Sequence, residues 1–226
     1  MFELFLPFFL LVLFFLILTI VWRIKARKYI SSGTVASAYD AWTQDKLLER
    51  LWGEHIHLGF YPLMERNIDF RKAKVQFVHE LVKWSGLDTL PKGSRILDVG
   101  CGIGGSSRIL AKYYGFNVTG ITISPAQVKR ARELTPNQLN CDFQVMDALD
   151  LKFEDGLFDG IWSVEAGAHM NDKTKFADEM LRTLRPGGYL ALADWNSRDL
   201  RKYPPSFFDN LVLMGLVLSL FLLEQD

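Results

Sequence analysis

Four glycines, Gly100, Gly102, Gly104 and Gly105, separate an aliphatic run ending in an acid (Asp98) from a helical segment starting at Ser106-Ser107. Glycine lets the backbone bend sharply and approach a ligand with no Cβ in the way. The N–H groups that open the following helix then face that ligand with a favourable dipole. The chemistry predicted is binding of a nucleotide-containing cofactor, and two cofactors compete. Gly100-x-Gly102-x-x-Gly105 matches the dinucleotide pattern, which also asks for an acid about 20 residues further on. The next predicted strand, Asn117 to Ile121, leads into Thr122-Ile123-Ser124-Pro125 with no acid at its tip. That counts against a dinucleotide. Gly100-Cys101-Gly102-Ile103-Gly104 fits instead the tighter turn that holds S-adenosylmethionine (SAM), with Asp98 closing the strand before it.

The elements that must position this turn are legible downstream. Cys141 to Met146 predicts a third strand ending at Asp147-Ala148, where an acid can accept from an adenine amino group and the next N–H can meet a ring nitrogen. Phe158 to Ser163 predicts a fourth strand, and Lys173 to Leu184 a helix. Arg185-Pro186-Gly187-Gly188 then turns into a fifth strand, Tyr189 to Ala193. Strands alternating with helices imply an α/β, Rossmann-like parallel sheet of about five strands, with ligands beyond the carboxyl ends of the strands. The candidate cofactor residues Asp98, Gly100, Cys101, Gly102, Gly104, Asp147, Ala148 and Ser163 all lie at such ends. For Cys101 the backbone matters more than the thiol.

This set resembles the class I SAM-dependent methyltransferases. Tyr39-Asp40, Trp52-Gly53-Glu54-His55-Ile56-His57-Leu58-Gly59, Gly120-Ile121-Thr122-Ile123-Ser124-Pro125-x-Gln127 and Trp162 to Met170 narrow the likeness to the tocopherol methyltransferase group. Within that group, Ser31 to Thr43, Gly86-Leu87-Asp88-Thr89-Leu90-Pro91 and Ala193-Asp194-Trp195-Asn196 are most similar to the cyanobacterial-type 2-methyl-6-phytyl-1,4-benzoquinone methyltransferases. The resemblance implies SAM as cofactor and a prenylated benzoquinol as acceptor, on the way to tocopherols and plastoquinone. γ-Tocopherol methyltransferase is the neighbouring alternative. The resemblance also implies that Tyr39 and His57 close the methionine end of the cofactor, and that Thr122, Ser124 and Gln127 meet the ribose. Ser124-Pro125 is equally a helix N-cap followed by proline at the first helical position, and both readings can hold.

Methyl transfer is an in-line displacement, so a protein contributes mainly positioning and desolvation. A ring carbon ortho to a phenolic hydroxyl becomes nucleophilic when a general base takes or shares that proton. Glu165 and His169, just after the fourth strand, are the candidate catalytic pair, and their four-residue spacing places them on one face if the segment is helical. The alternative is that Glu165 orders the cofactor and His169 is a structural hydrogen-bonding histidine. His55 and His57 would share a face on a strand and, with Glu54, suggest a metal site. No third ligand stands at a recognisable spacing, so no metal is predicted. Trp42, Trp52, Trp84 and Trp162 are expected to pack rather than to stack on a quinol.

Leu4 to Trp22 is an almost unbroken apolar run, long enough to cross a bilayer, and Arg23, Lys25, Arg27 and Lys28 follow it. The positive flank predicts a single-pass anchor with the catalytic domain on the cytoplasmic side, at a thylakoid or plasma membrane by resemblance. A signal peptide would want positive charge ahead of the apolar run and small residues at a cleavage site. The implied partners are therefore a lipid bilayer and a prenylated quinol. Lys and Arg number 26, as do Asp and Glu, so the balance points to no nucleic acid. Two cysteines make no disulfide framework. The expected organisation is an anchor with basic flank (1–28), a helical cap and linker (29–92, with 29–40 a short polar linker), a SAM-binding domain (93–200) and an apolar C-terminal segment (201–226). The likeness to the family covers about residues 30–209, and two further strands of the family's sheet are not found. The expectation is a C-terminally truncated member, with a non-catalytic SAM-binding membrane protein as the alternative of another class.

Overall fold

The computed structural model describes Phe14 and residues 32–62 and 68–195. The predicted anchor, 4–22, and the apolar segment after 200 lie outside the described residues. No helix among the described residues is long and apolar enough to cross a membrane.

Five parallel strands form one sheet in the order β3-β2-β1-β4-β5: β1 (Arg95–Val99), β2 (Asn117–Thr122), β3 (Cys141–Val145), β4 (Phe158–Val164) and β5 (Leu184–Ala193). Strand order reverses between β1 and β4, and such a switch point opens a crevice beyond the strand ends. β1 is buried on all but Arg95, as a strand covered on both faces must be. Ile96 and Trp162 pack on one face with Val78, Val82 and Leu110. Leu97, Val99 and Ile161 pack on the other with Phe176 and Met180.

The helices begin and end where local chemistry dictates. Asp69 caps α3 (Phe70–Ser85) by accepting from the N–H groups of Arg71 and Lys72, and left-handed Gly86 stops it. Helix α4 (Gly105–Tyr114) runs between left-handed glycines 104 and 115. At Gly104 a Cβ would stand 2.7 Å from the Phe143 ring, so glycine there is required by space as well as by φ. Ser124 caps α5 (Pro125–Leu134), accepting from Gln127 N–H at 3.1 Å, with Pro125 in the first turn. Asp172 caps α6 (Lys173–Thr183).

Three expectations are corrected. The predicted polar linker is largely helix α1 (Ser32–Gln44), because Val35, Ala38, Tyr39 and Trp42 recur at helical spacing. Helix α1 lies against α5, and a short α2 (Leu47–Trp52) follows it. The Arg185-Pro186-Gly187-Gly188 turn is absorbed into β5 as a register irregularity opposite Phe158 to Gly160. Trp42 and Trp84 do not pack in the core: Trp84 is 79% exposed, on the outer side of α3.

Candidate active site

One cavity of about 450 Å³ opens at the switch point. It gathers the carboxyl ends of β1, β2, β3 and β4, roofed by Val35 and Tyr39 of α1 and by Ile56 and His57 of the loop after α2. Tyr39, His57, Asp98, Gly100, Cys101, Gly102, Thr122, Gln127, Asp147, Ala148, Glu165 and His169 all line it.

Three predicted cofactor residues do not line the cavity. Ser163 is buried and donates its hydroxyl to Val99 O at 3.0 Å, tying β4 to β1 beneath the floor. Ser124 is buried too; its hydroxyl bonds Asp40 Oδ1 while it caps α5. Gly104 acts through backbone conformation behind the turn. Each occupies a strand end or turn, but its polar atom or backbone is turned to structural use.

The turn itself is fixed by β2, since Gly100 N–H and Cys101 N–H both donate to Ile121 O at 2.9 Å. At Gly100 (φ 79°) a Cβ would collide with Ala166. Asp98 is buried beneath the turn and accepts from the Ser107 hydroxyl at 2.5 Å. Burial pushes its carboxyl up to about 7, partly countered by that hydrogen bond. Burial also pushes the Cys101 thiol up, so it stays protonated.

Thr122 donates to Gln127 Oε1 at 2.6 Å, which leaves the Gln127 amide N–H groups to face a ligand. Asp147 Oδ1 accepts from Leu149 N–H at 2.9 Å, which holds the loop after β3 in place.

The corner after β4 is built differently. Residues 165–169 are not an α-helix: Glu165 adopts φ 53°, and only Gly167–His169 forms a 3₁₀ turn. Left-handed backbone at a non-glycine residue stores strain, and such strain clusters at functional sites. Glu165 N–H donates to Ala193 O at 2.8 Å, and Oε1 accepts from Leu58 N–H at 3.0 Å. His169 Nε2 meets the Tyr39 hydroxyl at 2.8 Å. Glu165 and His169 thus share the cavity but take different partners.

Burial holds His169 below the usual histidine range, an effect Asp194 opposes, and burial with the Glu165 charge raises Tyr39. At neutral pH the pair is a phenol beside a neutral imidazole.

His55 and His57 lie on a loop rather than a strand, yet they touch. His57 Nδ1 is 2.7 Å from Leu58 O, an acceptor only, so Nδ1 carries the proton. In the neutral ring Nε2 then accepts, so His55 Nδ1–H must donate to it across 3.1 Å. Burial lowers both, His55 to about 3, which keeps them neutral. The chain of donors runs His55 to His57 to Leu58 O, while Leu58 N–H continues to Glu165. Among the described residues no cluster of three His, Cys, Asp or Glu side chains is arranged to hold a metal.

Sequence reasoning missed the residues that hold these parts together. Asp40 accepts from Ser124 and from Ala126 N–H at 3.0 Å, clamping α1 onto the start of α5. Buried Arg108 donates to Ile103 O at 2.8 Å and pairs with Glu54 at 2.7 Å, fixing the glycine turn to the histidine loop. Lys74, also buried, donates to Trp52 O at 3.2 Å and His55 O at 2.7 Å. Only Asp40 carried a signal, its place beside Tyr39.

Among the described residues the lining includes the acids Asp98, Asp147 and Glu165 and no lysine or arginine. That balance fits a ligand that is itself cationic. Residues 97–192 match the methyltransferase-domain family. Over 194 residues the chain is 59% identical to a 2-methyl-6-phytyl-1,4-hydroquinone methyltransferase of Synechocystis sp., covering 86% of this chain and 61% of that one.

The chain carries a methyltransferase domain with the Rossmann-like class I methyltransferase fold.

A chloroplastic tocopherol O-methyltransferase of Arabidopsis thaliana is 42% identical over 164 residues, 68% of this chain and 47% of that one. The chain thus spans less than two thirds of the length of these relatives. Among solved structures, the [4+2]-cyclase SpnF superposes with a TM-score of 0.63 at 30% identity, covering 71% of this chain and 58% of that one. A protein named for cyclisation on this framework means that the methyltransferase fold alone does not dictate the reaction.

Proposed function

We propose that this chain is a SAM-dependent C-methyltransferase whose acceptor is a prenylated benzoquinol of the 2-methyl-6-phytyl type. The observation that carries the reading is Glu165. Its carboxylate is fixed at the end of β4, inside a cavity lined by acids, with one oxygen engaged by Leu58 N–H. The second oxygen is the candidate base for a phenolic proton, and withdrawing that proton makes the ortho ring carbon nucleophilic. Once that carbon is methylated, its own hydrogen leaves as a proton to restore the aromatic ring.

Asp147 and the Ala148 N–H suit an adenine, Gln127 a ribose, and Asp98 the ammonium of the cofactor's amino-acid end. SAM supplies the electrophilic methyl group. The chain's own residues orient the two reactants, keep the acceptor's hydroxyl next to Glu165 and exclude water. His169, bonded to Tyr39, holds α1 over the cavity in this reading.

The acceptor assignment is supported by the higher identity to the phytyl-hydroquinone enzyme, 59% against 42% for the tocopherol enzyme. A phytyl-tailed quinol resides in lipid. We infer a membrane site of action, with the apolar run 4–22 and its basic flank as the anchor, at a thylakoid or plasma membrane. The chloroplastic description of the Arabidopsis relative is consistent with that location.

The test is methyl transfer from radiolabelled SAM by the chain in membranes, with 2-methyl-6-phytylbenzoquinol and γ-tocopherol offered separately. Label on the benzoquinol alone is expected. Label on γ-tocopherol alone supports the runner-up, and label on neither overturns the catalytic reading.

A further inference from the structure

Trp162 lies in β4 with 0% of its surface exposed, yet it borders the cavity. Its register partner on β1 is Asp98, which also borders the cavity. Residues paired across neighbouring strands project to the same face, so the indole stands beside Asp98 at the junction of β1 and β4. Its apolar surface packs with the cluster of Val78, Val82 and Ala191. Trp162 Nε1 is the only buried side-chain nitrogen or oxygen among the described residues with no hydrogen-bond partner. Folded proteins leave few such donors unpaired, because burying one without an acceptor is destabilising. Since the residue borders a cavity, the contents of that cavity are the acceptor to look for.

The order of the sheet says which acceptor. Asp147 and Ala148 follow β3, Thr122 and Gln127 adjoin the end of β2, Asp98 and Trp162 belong to β1 and β4, and Glu165 follows β4. On the reading proposed above, that order runs from adenine through ribose to the amino-acid end. The amino-acid end carries a carboxylate as well as positive charges. Among the described residues no lysine or arginine lines the cavity to receive it, so the donors found there are uncharged.

We propose that Trp162 Nε1–H donates to the α-carboxylate of bound SAM, together with N–H groups of the glycine turn. Trp162 is thereby a binding residue and not packing alone. The inference rests on the assignment of the cavity to SAM.

Calorimetric titration of the full chain with S-adenosylhomocysteine and with its decarboxylated analogue tests it, in the wild type and in Trp162→Phe. A hydrogen bond to a charged group predicts that Trp162→Phe binds S-adenosylhomocysteine about tenfold to a hundredfold more weakly. The decarboxylated analogue, lacking the acceptor, should lose less than about twofold. Equal losses for the two ligands, or no loss for either, overturn the inference while leaving the cofactor assignment intact. So does a raised KM for the quinol with unchanged S-adenosylhomocysteine affinity, which would place the N–H on the acceptor substrate. Failure of the wild type to bind S-adenosylhomocysteine overturns the cofactor assignment and this inference together. If Trp162→Phe does not fold, as judged by near-ultraviolet circular dichroism, 3-benzothienylalanine at position 162 replaces the N–H by sulfur at nearly the same size. The same selective loss is then expected, and unchanged affinity overturns the inference.

Discussion

The glycine turn after β1 and the corner after β4 face each other across one cavity but are made in different ways. The turn is backbone: Gly100 N–H and Cys101 N–H reach Ile121 O, and Asp98 is held by Ser107 nine residues away. The corner is side chains over long distances, with Glu165 bonded to Leu58 at a separation of 107 residues and His169 to Tyr39 at 130. A site part made of backbone tolerates few residue types. A part made of distant side chains tolerates rearrangement but depends on every element that brings the partners together. The comparison teaches that cofactor binding and acceptor chemistry should fail separately.

The largest effect is expected at the turn. Gly100→Ala adds a Cβ that meets Ala166 at a left-handed φ of 79°. Backbone strain and overpacking together cost roughly 2–6 kcal/mol. Loss of S-adenosylhomocysteine binding by calorimetry, with a lowered melting temperature, is the expected result. Wild-type affinity in this variant would break the assignment of the turn.

Glu165→Gln keeps an oxygen for Leu58 N–H but removes the base. The expected outcome is a kcat lower by about 10²–10⁴-fold with S-adenosylhomocysteine affinity unchanged. Unchanged turnover would remove Glu165 from catalysis; a matching loss of cofactor affinity would make it a cofactor residue and blur the two regions.

A pH experiment compares a buried group under the turn with one on the histidine loop, which reaches Glu165 through His57 and Leu58. Folding raises Asp98 from 3.8 to about 7, so between these values the folded chain holds a proton the unfolded chain has released. Stability from this group falls as pH rises. Folding lowers His55 from 6.5 to about 3, so the unfolded chain holds the extra proton and stability rises with pH over the overlapping range. Each group alone changes stability by about 1.4 kcal/mol per pH unit at most, and the two oppose one another. Asp98→Asn, which keeps an acceptor for Ser107, leaves the histidine contribution unopposed. Urea unfolding between about pH 4.5 and 6.5 should then show stability rising with pH more steeply than in the wild type, by up to that amount. An unchanged slope would mean that Asp98 is not protonated in the folded chain.

The smallest effect is expected for Tyr39→Phe, which removes the hydroxyl from His169 at the rim. One hydrogen bond is worth about 0.5–1.5 kcal/mol. A modest drop in melting temperature and a faster cofactor off-rate in stopped flow are expected. A kcat loss as large as that of Glu165→Gln would move the proton chemistry onto the Tyr39 and His169 pair.

Much of the frame was legible in the sequence because its causes are local. The strand runs, the Ser124-Pro125 start of α5 and the positive-φ glycines follow from residue type within a few positions. The errors share a cause of the opposite kind. Ser163 stands at a strand end like its neighbours, but alternation along the strand turns its hydroxyl to Val99 O. Residues 32–40 look polar enough for a linker, and α1 forms there because it can lie on α5. Asp40 had only its place beside Tyr39 to mark it, since both its partners lie more than 80 positions away. The four-residue spacing of Glu165 and His169 suggested a helical face; the left-handed Glu165 gives each a separate partner instead.

By itself the sequence determined the alternation of strands and helices and the glycine turn, because short-range backbone preferences and hydrophobic periodicity are written in neighbouring residues. The tertiary structure alone decided which acids face the cavity, the protonation of the His55–His57 pair, the unpaired N–H of Trp162 and the clamp of Asp40 on α5. Those depend on burial and on contacts between residues distant in sequence, and no local pattern encodes either.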